Sequence, residues 1–424
     1  MRAKRVRSLA FGVLAVLVIA ASHGSGASLG MQIPDQRMDR VGQSIAPWSP
    51  GTVDIHQIST GLGNAALVVM PDGTTLLVDA GASAAPFADP RPNSTRSSAQ
   101  WIAYYIDHVL PDSAVRRLDY ALLTHFHPDH VGRIAADSAA SRHGDYRLSG
   151  ITEVAEVMPI RKIVDRGWPD YAYPTPLTDP MVANYRRFVE QRTADHSLVA
   201  ERIRVGRADQ LVPVINPQAY PTFEIRNVAA NGEVWTGRGA TTVRRFPTLK
   251  TPDEDIPWEN ICSIGIRIRY GRFDFFTGGD MYGIPDPGMP AWVDVESLVA
   301  QAIGPTDVHV VNMHGSISVE SPPFLMTLRS RVLIVPSWSA THPSQDVLKR
   351  MMAPRAYPGP RDVFATVLRE PTRASIGARV DQVKGIGHIV VRVAAGGATY
   401  SVVVIDDATD ALTVKSVHGP YEAQ

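Results

Sequence analysis

From about residue 53 the chain alternates short apolar runs with turn-forming residues. "NAALVVM" (64–70) and "TTLLVDAG" (74–81) flank "PDG", which predicts two strands joined by a hairpin. "SSAQWIAYYIDHVL" (97–110) has apolar residues at helical spacing and stops before Pro111, so a helix is expected there. "LDYALLTHFH" (118–127) reads as the next buried strand. Strands alternating with helices imply an α/β protein. Residues 134–222 are less regular. "RGWPDYAYPTPLTDP" (166–180) is rich in aromatic residues and proline, and "MVANYRRFVEQRTADHSLVAERI" (181–203) reads as a helix. Two readings stand for this segment: an insertion that overhangs a site, or an ordinary connecting helix with a proline-rich loop. Strands resume with "TFEIRNVAA", "ICSIGIRIRY" and "FDFFTGGD". "DVHVVNMHG" and "RVLIVPSW" follow, each ending in polar residues. "GHIVVRVAAGGATYSVVVIDD" (387–407) reads as a hairpin turning at "AAGG", followed by a tail.

The N-terminus departs from this pattern. Arg2, Lys4, Arg5 and Arg7 precede the uncharged run "SLAFGVLAVLVIAASHGSGA". A basic start, an apolar stretch and then small residues form the signal-peptide pattern. The run is short for a spanning helix, which needs about 20 residues. We expect cleavage near Ala27, an uncleaved anchor being the alternative. An exported protein without stable membrane association after cleavage follows. Residues 28–52 are polar, with glycine and proline, and read as a linker.

The charges of the whole chain balance, 42 basic against 42 acidic. Loss of the N-terminal cluster makes the mature protein slightly acidic. Net charge therefore gives no indication of a nucleic-acid partner, although a local basic groove stays open. The single cysteine, Cys262, lies in an apolar strand and reads as a buried thiol. Without disulfides the protein must be held by its core, which 424 residues allow.

The densest chemistry is "LLTHFHPDHVG" (122–132). His125 and His127 are two apart, so on a strand they point to one face. Pro128 breaks the strand, and Asp129 and His130 follow. One segment can thus aim two imidazoles at one point and a carboxylate plus an imidazole at a second point nearby. Imidazole and carboxylate suit zinc and similar divalent ions.

"THFHPDHVG" resembles the HxHxDH signature of the metallo-β-lactamase superfamily. "GLGNAALVVMPDGTTLLVDAG" is similar to that fold's opening hairpin, with Asp79 at its end. "ENICSIGIRIRYGRFDFFTGGD" resembles the segment that supplies a bridging aspartate, here Asp280. "VVNMHGSIS" and "SWSATHPSQDVLKRM" resemble the "HHGS" and "GHP" segments of the ComEC-type competence-protein branch. The resemblance, over about residues 53–353, implies an αββα four-layer sandwich; the residue pattern adds a helical insertion at 134–222 and a C-terminal β-hairpin extension. The domains expected are a signal peptide at 1–27, a linker at 28–52, a catalytic domain at 53–374 and the extension with its tail at 375–424. The resemblance further implies two divalent ions, Zn(II) or Mn(II), one of them weakly held. The implied ligands are His125, His127, Asp129, His130, Asp280 and His314. Asp129 would also orient a metal-activated hydroxide, and His342 would contact substrate or leaving group. Asp79 and Asp119 are expected to orient loops or ligands. His56, His108, His143, His196, His309, His388 and His418 lack such context and read as structural.

The sequence departs from the pattern twice. Met313 stands where the branch has the first histidine of "HHG". A third-motif histidine is missing between His130 and Asp280, where Asn231 lies nearest the expected place. The resemblance implies hydrolysis, with a phosphoester or phosphodiester as the first expectation. Lactone, lactam or thioester hydrolysis is the alternative, since fold does not choose among them. The arginine clusters "YRRF", "ERIRVGR" and "TVRRF" could grip phosphates, or be solvated faces. A non-catalytic metal-binding module would need a crippled ligand set.

Overall fold

A computed structural model describes residues 39–111, 115–248 and 256–424. The expected signal peptide, and the linker as far as residue 38, lie outside the described residues. The chain lays down β1 (Val53–Gln57), β2 (Ala66–Val69), β3 (Thr75–Val78), β4 (Leu118–Leu122), β5 (Ile160–Asp165) and β6 (Val199–Arg202) as part of one sheet. It then builds a second sheet from β7 (Phe223–Ala230), β8 (Glu233–Trp235), β9 (Thr242–Arg244), β10 (Gly265–Tyr270), β11 (Phe273–Thr277), β12 (Val308–Val310), β13 (Val332–Val335), β14 (Asp362–Ala365) and β15 (Val383–Ile386). Finally β16 (His388–Val393), β17 (Thr399–Ile405) and β18 (Val414–Glu422) return to the first sheet. The strand orders are β18-β17-β16-β1-β2-β3-β4-β5-β6 and β15-β14-β13-β12-β11-β10-β7-β8-β9.

Period-two alternation explains the layering. In β3, Leu76 and Val78 face the second sheet, while Leu77 faces outward. The inner layer joins these residues and Tyr120 to Ile266, Ile268, Phe275 and Ile334. The outer face of the first sheet packs on α1 (Ser98–Val109), α3 (Ile151–Val157) and α4 (Pro180–Ala194), through residues such as Ile102, Ile106, Val154 and Phe188. A short α2 (Pro128–Val131) lies between α1 and α3 in the chain. The second sheet packs on α5 (Glu296–Ile303) and α6 (Pro322–Leu328) through Phe276, Val299 and Phe324. It packs on α7 (Gln345–Met352) through Leu333, Val335, Val347 and Met351, with Ile376 of α8 (Glu370–Ile376) in the same cluster. Two sheets enclosed by helices form the four-layer αββα sandwich that the sequence resemblance implies. Burial of roughly 25 cal/mol per Å² of apolar surface is the force that closes these layers.

The hairpin of the expected C-terminal extension is built into the first sheet. β16 pairs antiparallel with β1 along its length, from Val53 opposite Val393 to Gln57 opposite Ile389. The hairpin turns at 394–398, with the Ala394 N–H bonded to the Thr399 carbonyl. The expected tail contributes β18, the edge strand. Residues 39–52 lie against the same end of the sheet. Gly42 and Gln43 exchange backbone hydrogen bonds with Val414. Arg392 fastens them further, reaching Asp39 at 2.9 Å, the Ala46 carbonyl at 2.8 Å and the buried Asp54 at 2.7 Å. Within 134–222, β5 and β6 extend the first sheet as parallel strands and α4 covers them. Cys262 is a free, buried thiol.

Neighbouring parallel strands carry the site. β3, β4 and β5 run parallel in one sheet, and β11, β12 and β13 run parallel in the other. Their C-terminal ends open at one edge of the sandwich, where α/β sheets present loops to ligands. Among the described residues no helix is long and apolar enough to cross a membrane.

Candidate metal centre

β4 ends at Leu122, and the loop that follows carries Thr124, His125 and Phe126 to α2. His127 is the N-cap of α2 and is itself extended, with φ −105° and ψ 156°. Pro128 sets the first helical position, which needs no N–H. The strand-to-helix turn therefore puts His125 and His127 on one side and Asp129 and His130 on the other. The turn sits tightly against the loop before β2 and the end of β3. The Asp129 carbonyl accepts from Asn64 N–H at 2.7 Å. A Cβ on Gly81 would lie 2.0 Å from that carbonyl oxygen, so glycine is required there.

Asp280 follows β11 after Gly278 and Gly279, and its N–H donates to Ser263 Oγ at 3.1 Å. His314 follows β12. Met313 and His314 both have left-handed backbone, with φ of 43° and 55°. Such conformations cost on the order of 1–3 kcal/mol each and persist only where surroundings impose them. Here Met313 N–H donates to the Gly279 carbonyl at 3.0 Å. Asn312 donates its N–H to Glu320 at 3.2 Å and its amide to Glu296 at 2.8 Å.

These loops bring all six expected ligands together. Asp129, His130, Asp280 and His314 form one group, and His125, His127 and Asp280 form a second, with ligand atoms within 4.8 Å of one another in each. In the first group His130 Nε2 lies 3.2 Å from Asp280 Oδ1 and 3.2 Å from His314 Nε2. His314 Nε2 lies 3.0 Å from Asp129 Oδ2. In the second, His125 Nε2 lies 3.2 Å from His127 Nδ1 and 3.7 Å from Asp280 Oδ2.

The hydrogen bonds around the rings decide what these atoms can do. His130 Nδ1 faces Asp79 Oδ2 at 2.7 Å, and His314 Nδ1 faces the Pro336 carbonyl at 2.9 Å. Both nitrogens must donate, so in the neutral rings each Nε2 presents its lone pair to the cluster, the two Nε2 atoms 3.2 Å apart. The Thr124 hydroxyl donates to Asp79 at 2.8 Å, so it can only accept from His125 Nδ1 at 3.2 Å. His125 Nε2 is thereby also left with a lone pair facing the cluster. Buried Asp280 Oδ1 has no hydrogen-bond partner. Converging lone pairs and an orphaned buried carboxylate oxygen are the donor set of a divalent cation. The residues fit such an ion.

The electrostatics agree. Burial opposes charging of His130, but Asp280, Asp79 and Asp129 outweigh it and hold its pKa well above the ordinary histidine value. Burial likewise opposes charge on His314, and Asp280 and Asp129 raise it. Burial opposes ionisation of Asp129 and Asp280, yet His130 and His314 hold both carboxyls well below their usual range. His125 goes the other way: burial, then His130 and His127, push it far below the usual value, so its ring stays neutral.

His342 packs face to face on His314, with ring centroids 5.0 Å apart, and edge-on to Trp338. It touches a ligand and is not in either ligand group. Burial first, then His314, lowers its pKa to about 3. Its Nδ1 is buried without a partner. Asp79 orients His130 and also accepts the Thr124 N–H at 2.8 Å. Asp119, by contrast, lies at the start of β4, away from the ligands. It accepts from Thr75 N–H at 3.1 Å and pairs with Arg117 and Arg161. Met313 packs against the apolar cluster under α7.

Asn231 completes neither group. Its amide donates to the Arg166 carbonyl and accepts from the Arg166 guanidinium, each at 3.0 Å. Arg166 is fully buried and paired with Glu259, which also accepts the Phe126 N–H at 2.7 Å. This network was not anticipated from the sequence. Its members are 65 and 93 positions apart, and no local spacing joins them. His309 and Glu320, 2.6 Å apart, with Glu296 form a second unanticipated network that holds Asn312 beside His314.

Residues 58–136 match the sequence model of the metallo-beta-lactamase superfamily. The chain is similar to Zn(2+)-bound PqqB from Methylobacterium extorquens at 13% identity, covering 66% of this chain and 88% of that one, with TM-score 0.35. It is similar to unliganded yeast PDE1 at 11% identity, covering 79% of this chain and 97% of that one, with TM-score 0.34. No curated protein sequence matches. The family match lies over the segment that carries His125, His127, Asp129 and His130, within one half of the αββα sandwich.

Asp79→Ala should weaken metal binding 10- to 100-fold, the usual cost of removing the partner that orients a ligating imidazole. Calorimetric titration with Zn(II) measures it. Unchanged affinity would show that Asp79 does not orient His130.

Proposed function

We propose that the chain is an exported metal-dependent hydrolase of phosphoesters or phosphodiesters, of the ComEC-type branch. The observation that carries this reading is the pair of ligand groups sharing Asp280. A site able to hold two ions side by side suits in-line displacement at phosphorus, where both entering and leaving oxygens need charge stabilisation. A bound divalent ion lowers the pKa of water from about 15.7 to about 7 and so supplies a nucleophile at neutral pH. His125, His127, Asp129, His130, Asp280 and His314 would hold the ions. Asp129, the partly exposed carboxylate of the set, would also orient the attacking hydroxide. His342 stays neutral and offers one ring N–H to the leaving group or substrate. Lactones, lactams and thioesters remain the alternative substrates.

Phosphodiester, phosphomonoester, lactone and β-lactam chromogenic substrates, tested with Zn(II) or Mn(II), check the reading. Turnover of a phosphoester is expected. Asp129→Ala should abolish it with the fold retained, and His342→Ala should reduce kcat/KM by a smaller factor. Wild-type turnover in Asp129→Ala would remove the mechanism, and exclusive lactonase or lactamase activity would remove the substrate assignment.

The two ion positions should be unequal. One has four protein ligands, Asp129, His130, Asp280 and His314, and the other has three. Asn231 is committed to Arg166, and the buried Arg166 charge adds to what keeps positive charge off His125. A position completed by water suits a harder ion such as Mn(II). The purified protein should carry fewer than two metals per chain, and Mn(II) should raise its activity. Two equal, tight sites by calorimetry for both Zn(II) and Mn(II) would overturn the asymmetry.

Export rests on the order of basic, apolar and small residues before Ser28. N-terminal sequencing of the mature protein should begin near Ser28. Met1 retained on soluble cytoplasmic protein would contradict it.

A further inference from the structure

Beside the ligands lies a cleft of about 570 Å³, within the usual range of small-molecule sites. His127 and Pro128 form its inner end. Its walls are largely apolar. Phe126 and Ile134 come from the motif segment and its continuation, and Leu177, Met181 and Val182 from the proline-rich loop and the start of α4. The irregular segment 134–222 thus supplies much of a wall at the ligand edge.

The charged groups lining the cleft are unequal in what they have left to offer. Glu259 is neutralised by Arg166 and bonded to Phe126 N–H. Asp179 caps α4 by accepting from Met181 N–H at 2.7 Å. Arg133 is exposed, and its guanidinium has no hydrogen bond or ion pair among the described residues, though its backbone N–H is held by the Ala82 carbonyl. A bare guanidinium at the rim of an apolar cleft is complementary to an anionic group on an apolar body.

We infer that this cleft binds the apolar, aryl-sized part of an amphipathic substrate, that Arg133 pairs with an anionic group on that part, and that the scissile bond lies at His127 and the ligand groups. The inference rests on the hydrolase reading for the position of the scissile bond, but the cleft's selectivity is testable without turnover. It also separates this chain's substrates from small polar esters, for which the cleft would offer apolar walls and no partner.

The test uses the purified full chain and three probes, 2-naphthoate, acetate and 2-naphthol, with binding measured by calorimetry. 2-Naphthoate should bind at least tenfold more tightly than either of the others. Arg133→Gln should remove its advantage over 2-naphthol, and Leu177→Asp its advantage over acetate. Both positions are solvent-accessible, and circular dichroism checks that both variants are folded. A carboxylate bound only to metal would be insensitive to Arg133→Gln, and that result overturns the inference. A parallel measurement compares bis(p-nitrophenyl) phosphate with methyl p-nitrophenyl phosphate. The diaryl ester should have the lower KM, and Leu177→Asp should raise that KM about tenfold, with a smaller change in kcat. Phosphoester turnover without naphthoate selectivity would overturn the cleft assignment and leave the proposed function standing. Naphthoate selectivity lost in both variants, with no phosphoester turned over, would uphold the cleft and overturn the phosphoester reading.

Discussion

Four imidazoles and two carboxylates whose free atoms converge in a buried space are stable together only around positive charge. Taking such groups out of water costs several kcal/mol per ion, and only mutual compensation repays it. Here the compensation is partial. The carboxylates hold protons on His130 and His314, yet Asp280 Oδ1 stays unpartnered and His125 stays neutral. Without a cation, protons on His130 and His314 are the positive charge that takes its place. That unfinished electrostatics is what the surrounding structure is organised to maintain.

The organisation uses both sheets. β3 and β4 deliver Asp79 and the His125–His130 segment, while β11, β12 and β13 deliver Asp280, His314 and His342. Neither half has a complete ligand group, because Asp280 belongs to both groups and lies across the sandwich from the motif. Packing between the sheets therefore controls ligand distances directly. The interior cluster of Tyr120, Leu122, Ile266, Phe275 and Ile334 is the mechanical link, since a close-packed core transmits displacement instead of absorbing it. β16 and β17 close the far side of the first sheet, so the C-terminal residues support a site that they do not touch.

What could be read in the sequence follows from how local each device is. "THFHPDHVG" was legible because four ligands lie within six positions, and strand and helix periodicities give their directions. Asp280 and His314 were legible at the ends of apolar strands only through family resemblance, since a loop aspartate or histidine has no signature of its own. The β16–β17 hairpin was legible from its alternation, but its pairing with β1 was not. That contact joins positions more than 330 apart, as the Arg392–Asp54 bond shows, and any strand edge could have accepted it. Thr124 was overlooked because a hydroxyl beside a histidine is common. Its importance comes from the single proton that it must give to Asp79, which fixes how it can receive His125.

The surroundings of Asn231 show how a segment can be positioned without a coordinating side chain. Asn231, the residue nearest that role in the sequence, is bonded at both ends of its amide to Arg166. Arg166 is held by Glu259, and Glu259 holds the Phe126 N–H between His125 and His127. The segment that carries the two imidazoles is thus pinned by a neutral amide and a buried ion pair. A histidine there would coordinate and position at once. The network only positions, and its buried guanidinium adds to the charges that keep a proton off His125. Geometric order and the number of coordinating atoms are separate properties of a site: the network fixes the first around His125 and His127, and the second is four side chains in one group and three in the other.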